Sequence, residues 1–243
     1  TVQSAAPSVV ISSPTVLNVV NSSTTQNLYP VSGTCSEVGL PVSISVSSSA
    51  GGSFDPPPAP TCSNTGKFSA TVNISSLSDG NLSFKAIQTS ASGVDGPSDI
   101  IVVKKDATAP TEASSLTWVE VNTGDIKTDA TDPNKLYSKI ASLKAYWESP
   151  TSIDAADSLI LQFYQDQACT ISVGAPITLL SNIKDQVLQG ANGGVYSYKV
   201  TSLDAAGNSK VSGCSKSITV QSAAPSVVIS SPTVLNVVNS STT

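Results

Sequence analysis

The chain has 243 residues, with 17 acidic and 12 basic side chains, a formal net charge of −5, no histidine and no methionine. All 12 basic residues are lysines, so the bidentate phosphate fork of arginine is missing along with the commonest general base and metal ligand, which argues against a nucleic-acid partner and against any Ser-His-Asp or Cys-His catalytic arrangement. Charged residues make up 12% and aromatic residues 5%, yet 39% are hydrophobic, with many Val, Ile and Thr suited to sheet cores, and no apolar run reaches the roughly 18 residues of a membrane span.

Thr1–Thr25 reads TVQSAAPSVVISSPTVLNVVNSSTT, and Thr219–Thr243 repeats it letter for letter at an offset of 218 residues. Such identity predicts near-identical copies in series, and a period of about two domain lengths predicts two different modules alternating. The expected organisation is the end of a preceding repeat at 1–4, one all-β sandwich over 5–106, a second over 107–221, and the opening strand of the next copy at 222–243. On this reading the chain is an excerpt of a longer array, with any secretion signal or anchor outside it. The alternative is that the terminal strand exchanges between molecules. Either version gives a head-to-tail filament repeating every 70 to 90 Å, roughly, at 3.3 Å per strand residue.

In chain order, Ser8–Ser12, Tyr29–Cys35, Pro41–Val46, Lys67–Ile74, Asn81–Thr89 and Asp99–Lys104 are predicted strands, each ended by Gly, Pro, Asn or Asp. Phe68, Ala70, Val72 and Ile74 share one face at period two, as do Leu82, Phe84, Ala86 and Gln88, so one face of each strand is expected to be buried. Ser75–Gly80 is a predicted turn. The stretch from Gly51 to Pro58 contains three prolines and is not a central strand.

In that segment Gly33-Thr34-Cys35-Ser36-Glu37-Val38-Gly39, Gly66-Lys67-Phe68-Ser69-Ala70-Thr71-Val72 and Leu77-Ser78-Asp79-Gly80 resemble, as an ordered set, the bacterial immunoglobulin-like repeat of large surface adhesins. The resemblance spans nearly the whole module. It implies a bridge between Cys35 and Cys62, 27 residues apart. A loop of that length stabilises by about 2 to 4 kcal/mol.

From Asp106-Ala107-Thr108-Ala109-Pro110 onward the alternation resumes with new residues: Leu116 and Trp118; Leu143, Ala145 and Trp147; Leu159, Leu161 and Phe163; Tyr196, Tyr198 and Val200. The pieces LTW, YWESP, LILQFYQDQAC and GGVYSYKVTSLDAAGNSKVSGCSKSITV resemble a fibronectin type III or related immunoglobulin-like module. That resemblance implies Trp147 as the core tryptophan, Tyr196 or Tyr198 as the corner tyrosine, and a bridge between Cys169 and Cys214. Two cysteines per module suit an oxidising, extracytoplasmic location, four buried free thiols being the alternative.

Sandwich geometry puts the loops after the second strand and between the last two strands at the pole where the chain enters. For the second module this gathers Asp154, Asp157 and Asp204 near Asp106 of the linker, and the adhesin resemblance implies a calcium-stiffened joint there. Solvated turn residues are the alternative. The other joint has Ser222 in its linker and only Glu37 and Asp95 nearby, so no metal is expected and that joint should be softer. Asp125, Asp129 and Asp132 are expected in a solvated loop, and Asn21, Asn73 and Asn81 head formal glycosylation sequons expected to be silent.

No GxSxG, P-loop or CxxC motif is present, and the chain is not expected to be an enzyme or to require a cofactor beyond a calcium ion. The predicted function is a structural repeat of an extracellular bacterial surface fibre or adhesin stalk, whose partners are further copies of itself. The rival functions are a module gripping a carbohydrate or protein receptor through pole loops, and an accessory region of a secreted hydrolase.

Overall fold

The computed structural model describes residues 6–150 and 157–223, and these form two all-β sandwiches in tandem. The first contains β1 (Val9–Ser13), β2 (Val19–Val20), β3 (Tyr29–Cys35), β4 (Val42–Ser48), β5 (Lys67–Val72), β6 (Gly80–Gln88) and β7 (Asp99–Lys105). One sheet has the order β1-β3-β5 and the other β2-β7-β6-β4. The opening strand therefore splits: β1 pairs antiparallel with β3, and after Pro14 the chain crosses so that β2 pairs parallel with β7. Proline suits that crossing, since it lacks the N–H a continued ladder would use. Gly33 permits close approach of β1 and β5, because a Cβ there would lie 1.9 Å from the Val10 carbonyl and 2.7 Å from the Phe68 ring.

The strand alternation translates directly into burial. Leu82, Phe84, Ala86 and Gln88 of β6 face inward, as do Phe68 and Val72 of β5, while the serines of β4 face solvent. Ile74 is buried beyond the end of β5. Burial of the aliphatic and aromatic side chains is the main favourable term for such a fold.

The second sandwich contains β8 (Ser114–Val119), β9 (Ile126–Thr128), β10 (Lys135–Ser138), β11 (Ser142–Glu148), β12 (Ser158–Tyr164), β13 (Ser172–Leu180), β14 (Asp185–Gln189), β15 (Val195–Leu203), β16 (Ser209–Val211) and β17 (Ser217–Val220). Its sheets are β14-β11-β8 and β13-β12-β15-β17-β10-β9, with β16 continuing the pairing along β15. Trp147 is fully buried, and Trp118, Phe163 and Tyr198 pack at ring distances of 5.1 to 6.2 Å. Of the two tyrosine candidates, Tyr196 takes the corner role. Tyr196 hydroxyl accepts the Ala191 N–H five residues upstream, the corner arrangement, whereas Tyr198 donates to the carbonyls of Thr117 and Tyr146 on the opposite sheet.

Both disulfides form as the resemblances imply, Cys35–Cys62 and Cys169–Cys214. Among the described residues no helix is long and apolar enough to cross a membrane. The segment 226–243, expected to complete a neighbouring sandwich, lies outside the described residues.

One expectation is overturned. Asp125 is not solvated: its side chain is only 3% exposed, it accepts the Asn122 N–H, and it pairs with Lys139 at 3.3 Å. Asp129 is likewise engaged, accepting from Thr131, Asp132 and Tyr137, and those hydrogen bonds, Thr131 foremost, hold its carboxyl well below the usual carboxylate range. The acidic loop folds on its own acceptors because Asp readily bonds backbone N–H groups one to three residues on.

Candidate functional site

The joint between the sandwiches gathers a set of mutually hydrogen-bonded polar groups. On the side of the first module, the C-terminal pole is closed by two turns. In one, Asn21 Oδ1 accepts from Ser23 N–H, Ser23 hydroxyl and Thr24 hydroxyl, which stiffens the turn after β2. In the other, the buried Lys105 ammonium donates to the carbonyls of Ile74 and Leu77, tying the loop after β5 to the last strand.

On the side of the second module, the turn from Asp204 to Asn208 closes on itself. Asp204 Oδ1 accepts from the N–H groups of Ala206 and Asn208, and Gly207 takes the left-handed backbone conformation at φ 86°. Glycine is favoured there because the left-handed backbone strains any residue that carries a Cβ. Asp157 N–H donates to Leu203 O at 2.7 Å, so the start of β12 and the Asp204 turn share the N-terminal pole.

Two hydrogen bonds cross directly between the modules. Asn21 Nδ2 donates to Ala206 O at 2.8 Å, and Ser22 N–H donates to Asn208 Oδ1 at 2.8 Å. Asn208, 1% exposed, adds two more from its Nδ2, to the Asp106 carbonyl of the linker and to Asp204 Oδ2, both at 2.8 Å. The linker is also held from the first module. Asp106 N–H donates to Val20 O, Asp79 Oδ2 accepts from Ala107 N–H and Thr108 hydroxyl, and Lys104 pairs with Asp106 at 3.2 Å. Residues 106–108 are therefore fixed from both sides, by groups whose desolvation is compensated.

The residues proposed from sequence divide accordingly. Asp106 and Asp204 do meet at this joint, bridged by the Asn208 amide, whose Nδ2 donates to the Asp106 carbonyl and to Asp204 Oδ2. Asp157 lies at the same pole, and Asp154 is outside the described residues. Among the described residues no three carboxylate or cysteine side chains are grouped to hold a metal ion, and Asp204's carboxylate already serves its own turn. Asn208 and Asn21 were missed as joint residues by a reading that weighed carboxylates. The available signal was the end of DAAGN, where Asn closes a turn that an entering linker must pass. Asn21 heads a sequon expected to be silent, and its side-chain amide instead makes a cross-module bond.

No protein-family model matches the chain, and a search of curated proteins likewise finds no match. Among solved structures, domains A168–A170 from titin align at 13% identity over 81% of this chain and 60% of theirs, with a TM-score of 0.48. A 1.5-MDa bacterial ice-binding adhesin aligns at 13% identity over 90% and 65%, with a TM-score of 0.46. Fibronectin(III)-like modules of CbhA from Clostridium thermocellum align at 13% over 88% and 94%, with a TM-score of 0.43. This chain thus spans less than two thirds of the titin and adhesin chains. At such identities and scores the fold assignment rests on the strand order and burial described above.

Proposed function

We propose that the chain is a structural repeat unit of an extracellular bacterial surface fibre or adhesin stalk, which extends and stiffens an array of like units. The observation that carries this reading is the letter-for-letter recurrence of Thr1–Thr25 at Thr219–Thr243. That segment contains Asn21 and Ser22, the two residues that bond across to the second module. Each copy in an array therefore brings its own latch for the module that follows. Two disulfides suit an oxidising compartment outside the cytoplasm, and sandwiches linked through a fixed joint transmit extension rather than bending.

Small-angle scattering on the chain and on Asn208→Ala tests this. The expected outcome is an extended wild type described by one inter-module arrangement, and a variant that needs a broad set of arrangements because Ser22 N–H, Asp106 O and Asp204 all lose a partner. Identical curves for the two proteins would remove the joint as the source of stiffness. Calcium, which the adhesin resemblance implies here, would draw on Asp106, Asp157 and Asp204 together with Asp154. Repeating the measurement with a chelator reads its share: loosening as large as that of Asn208→Ala would assign the stiffness to the cation, and no change would assign it to the amide bonds.

A further inference from the structure

The joint that links one repeat to the next was expected to be the softer of the two, for want of carboxylates. The hydrogen bonds at the two outer poles point the other way. At the C-terminal pole of the second module the departing chain is held residue by residue: Gln221 N–H donates to Ser138 O, and Asn192 Oδ1 accepts from Ser222 hydroxyl at 3.4 Å and from Ala223 N–H at 3.1 Å. At the N-terminal pole of the first module the arriving chain is held from Pro7 onward. Pro7 is buried, and its carbonyl packs so closely on Gly96 that a Cβ there would lie 1.8 Å away. Ser8 N–H then donates to Ser36 Oγ at 2.8 Å, and Ser36 N–H donates to Ser8 O.

The repeat sets the distance between these two clasps. Thr219–Thr243 matches Thr1–Thr25 letter for letter, so Ala223 stands at the position of Ala5, and Pro7 is only two positions further along. A single alanine, the counterpart of Ala6, separates Ala223, held by the second module, from the counterpart of Pro7, held by the next first module. Two peptide steps span at most about 7.6 Å. That alanine precedes a proline, which confines it to extended backbone, and the proline's own φ is fixed.

We infer that successive repeats abut directly, the C-terminal pole of the second module packing on the N-terminal pole of the following first module, with no free rotor between them. The partner is therefore a second copy of this chain, and the inference rests on the stalk reading. The facing loops carry exposed apolar residues on both sides, Val121 on one and Val38 and Val94 on the other, which is the chemistry such a contact would cover. Both joints of the array are then stiff, one through cross-module amides and the other through the shortness of its span.

The test uses a chain of two tandem copies, compared with the same chain carrying Gly-Ser-Gly-Ser inserted after Ala224, and with Asn192→Ala in the first copy. The expected scattering result is one fixed arrangement across the inter-repeat joint in the wild type, lost on insertion and partly lost in Asn192→Ala. A wild-type chain that stays extended within each repeat but already needs a broad ensemble between repeats, unchanged by the insertion, would overturn this inference and leave the stalk reading standing. A wild-type chain folded back on itself would overturn both.

Discussion

The two sandwiches solve one packing problem with different side chains. The first has no tryptophan. Its core is aliphatic around Phe68, Phe84 and Tyr29, and its loops are anchored by two long buried polar side chains, Gln88 and Lys105. Gln88 Oε1 accepts from Ser36 and Glu37 N–H groups while its Nε2 donates to Glu37 O, so one amide replaces a length of missing ladder after β3. The second module fills the gap between its sheets with rings and anchors its backbone with serines. Between β16 and β17 the ladder along β15 is interrupted, and the hydroxyls of Ser212 and Ser215 accept the N–H groups of Val200 and Tyr198. Cys214 lies in that interruption, where it reaches Cys169 in the loop between β12 and β13. Where large rings tie the sheets together, a central ladder tolerates a break; where the core is aliphatic, loops need amide anchors.

The largest expected effect breaks the ring side of this comparison. Trp147→Ala removes a fully buried indole and should cost the second module about 3 to 5 kcal/mol. Calorimetry should show that module's transition falling while the first module's stays in place. Phe84→Ala should do the reverse. If either substitution moves both transitions equally, the modules unfold as one unit and the contrast between their cores loses its meaning.

Removing a disulfide comes next. Replacing Cys35 and Cys62, or Cys169 and Cys214, by serine should cost roughly 2 to 4 kcal/mol in the module concerned. The closed loops are 27 and 45 residues long, and loop-closure entropy grows so slowly that this difference amounts to only about 0.5 kcal/mol. A markedly larger loss in the second module, measured by denaturant unfolding of each pair, would show that Cys169–Cys214 also holds the interrupted strand in place.

Gln88→Leu sharpens the amide side. It keeps the apolar contacts of β6 but leaves the Glu37 N–H and carbonyl without their partner, while Ser36 N–H keeps Ser8 O, at a cost of about 1 to 3 kcal/mol. Hydrogen exchange should quicken at Glu37 and remain slow at Ser36 and within β6. Uniform acceleration through the module would mean that Gln88 supports the core rather than the loop.

Much of this was legible beforehand, and the reasons are physical. Strands half buried in a sandwich alternate, so Lys67–Val72, Gly80–Gln88 and Val195–Leu203 are visible in the letters alone. Val19–Val20 is too short to show a period, and β13 has no buried position, so neither carries that signal. The amide bonds at the joint were not legible, because charge is conspicuous in a sequence while the value of an amide depends on partners arriving from distant positions. Asn208 is 102 residues from Asp106 and 186 from Ser22.

The smallest expected effect concerns acid. Three carboxylates of the second module are held below their ordinary range: Asp129 by Thr131 and Tyr137, Glu148 by Lys184 and Tyr146, and Asp166 by Thr170 and Ile171. A carboxylate whose folded pKa is depressed contributes stability that is present above its unfolded value, about 3.9 for Asp and 4.3 for Glu, and loses it as pH falls through the folded value. The second module should therefore weaken progressively below about pH 4. All three groups are solvent-accessible, so each contribution is screened and the total is modest. Asp129→Asn separates charge from geometry. An asparagine Oδ1 can still accept from Thr131 and Asp132 while its Nδ2 donates to the Tyr137 hydroxyl, so the neutral-pH melting temperature should change little, while the loss of stability between pH 4 and pH 2 becomes shallower. An unchanged acid slope in Asp129→Asn would mean that the turn is held by hydrogen bonding alone and that the charge on Asp129 contributes nothing to the second module's stability.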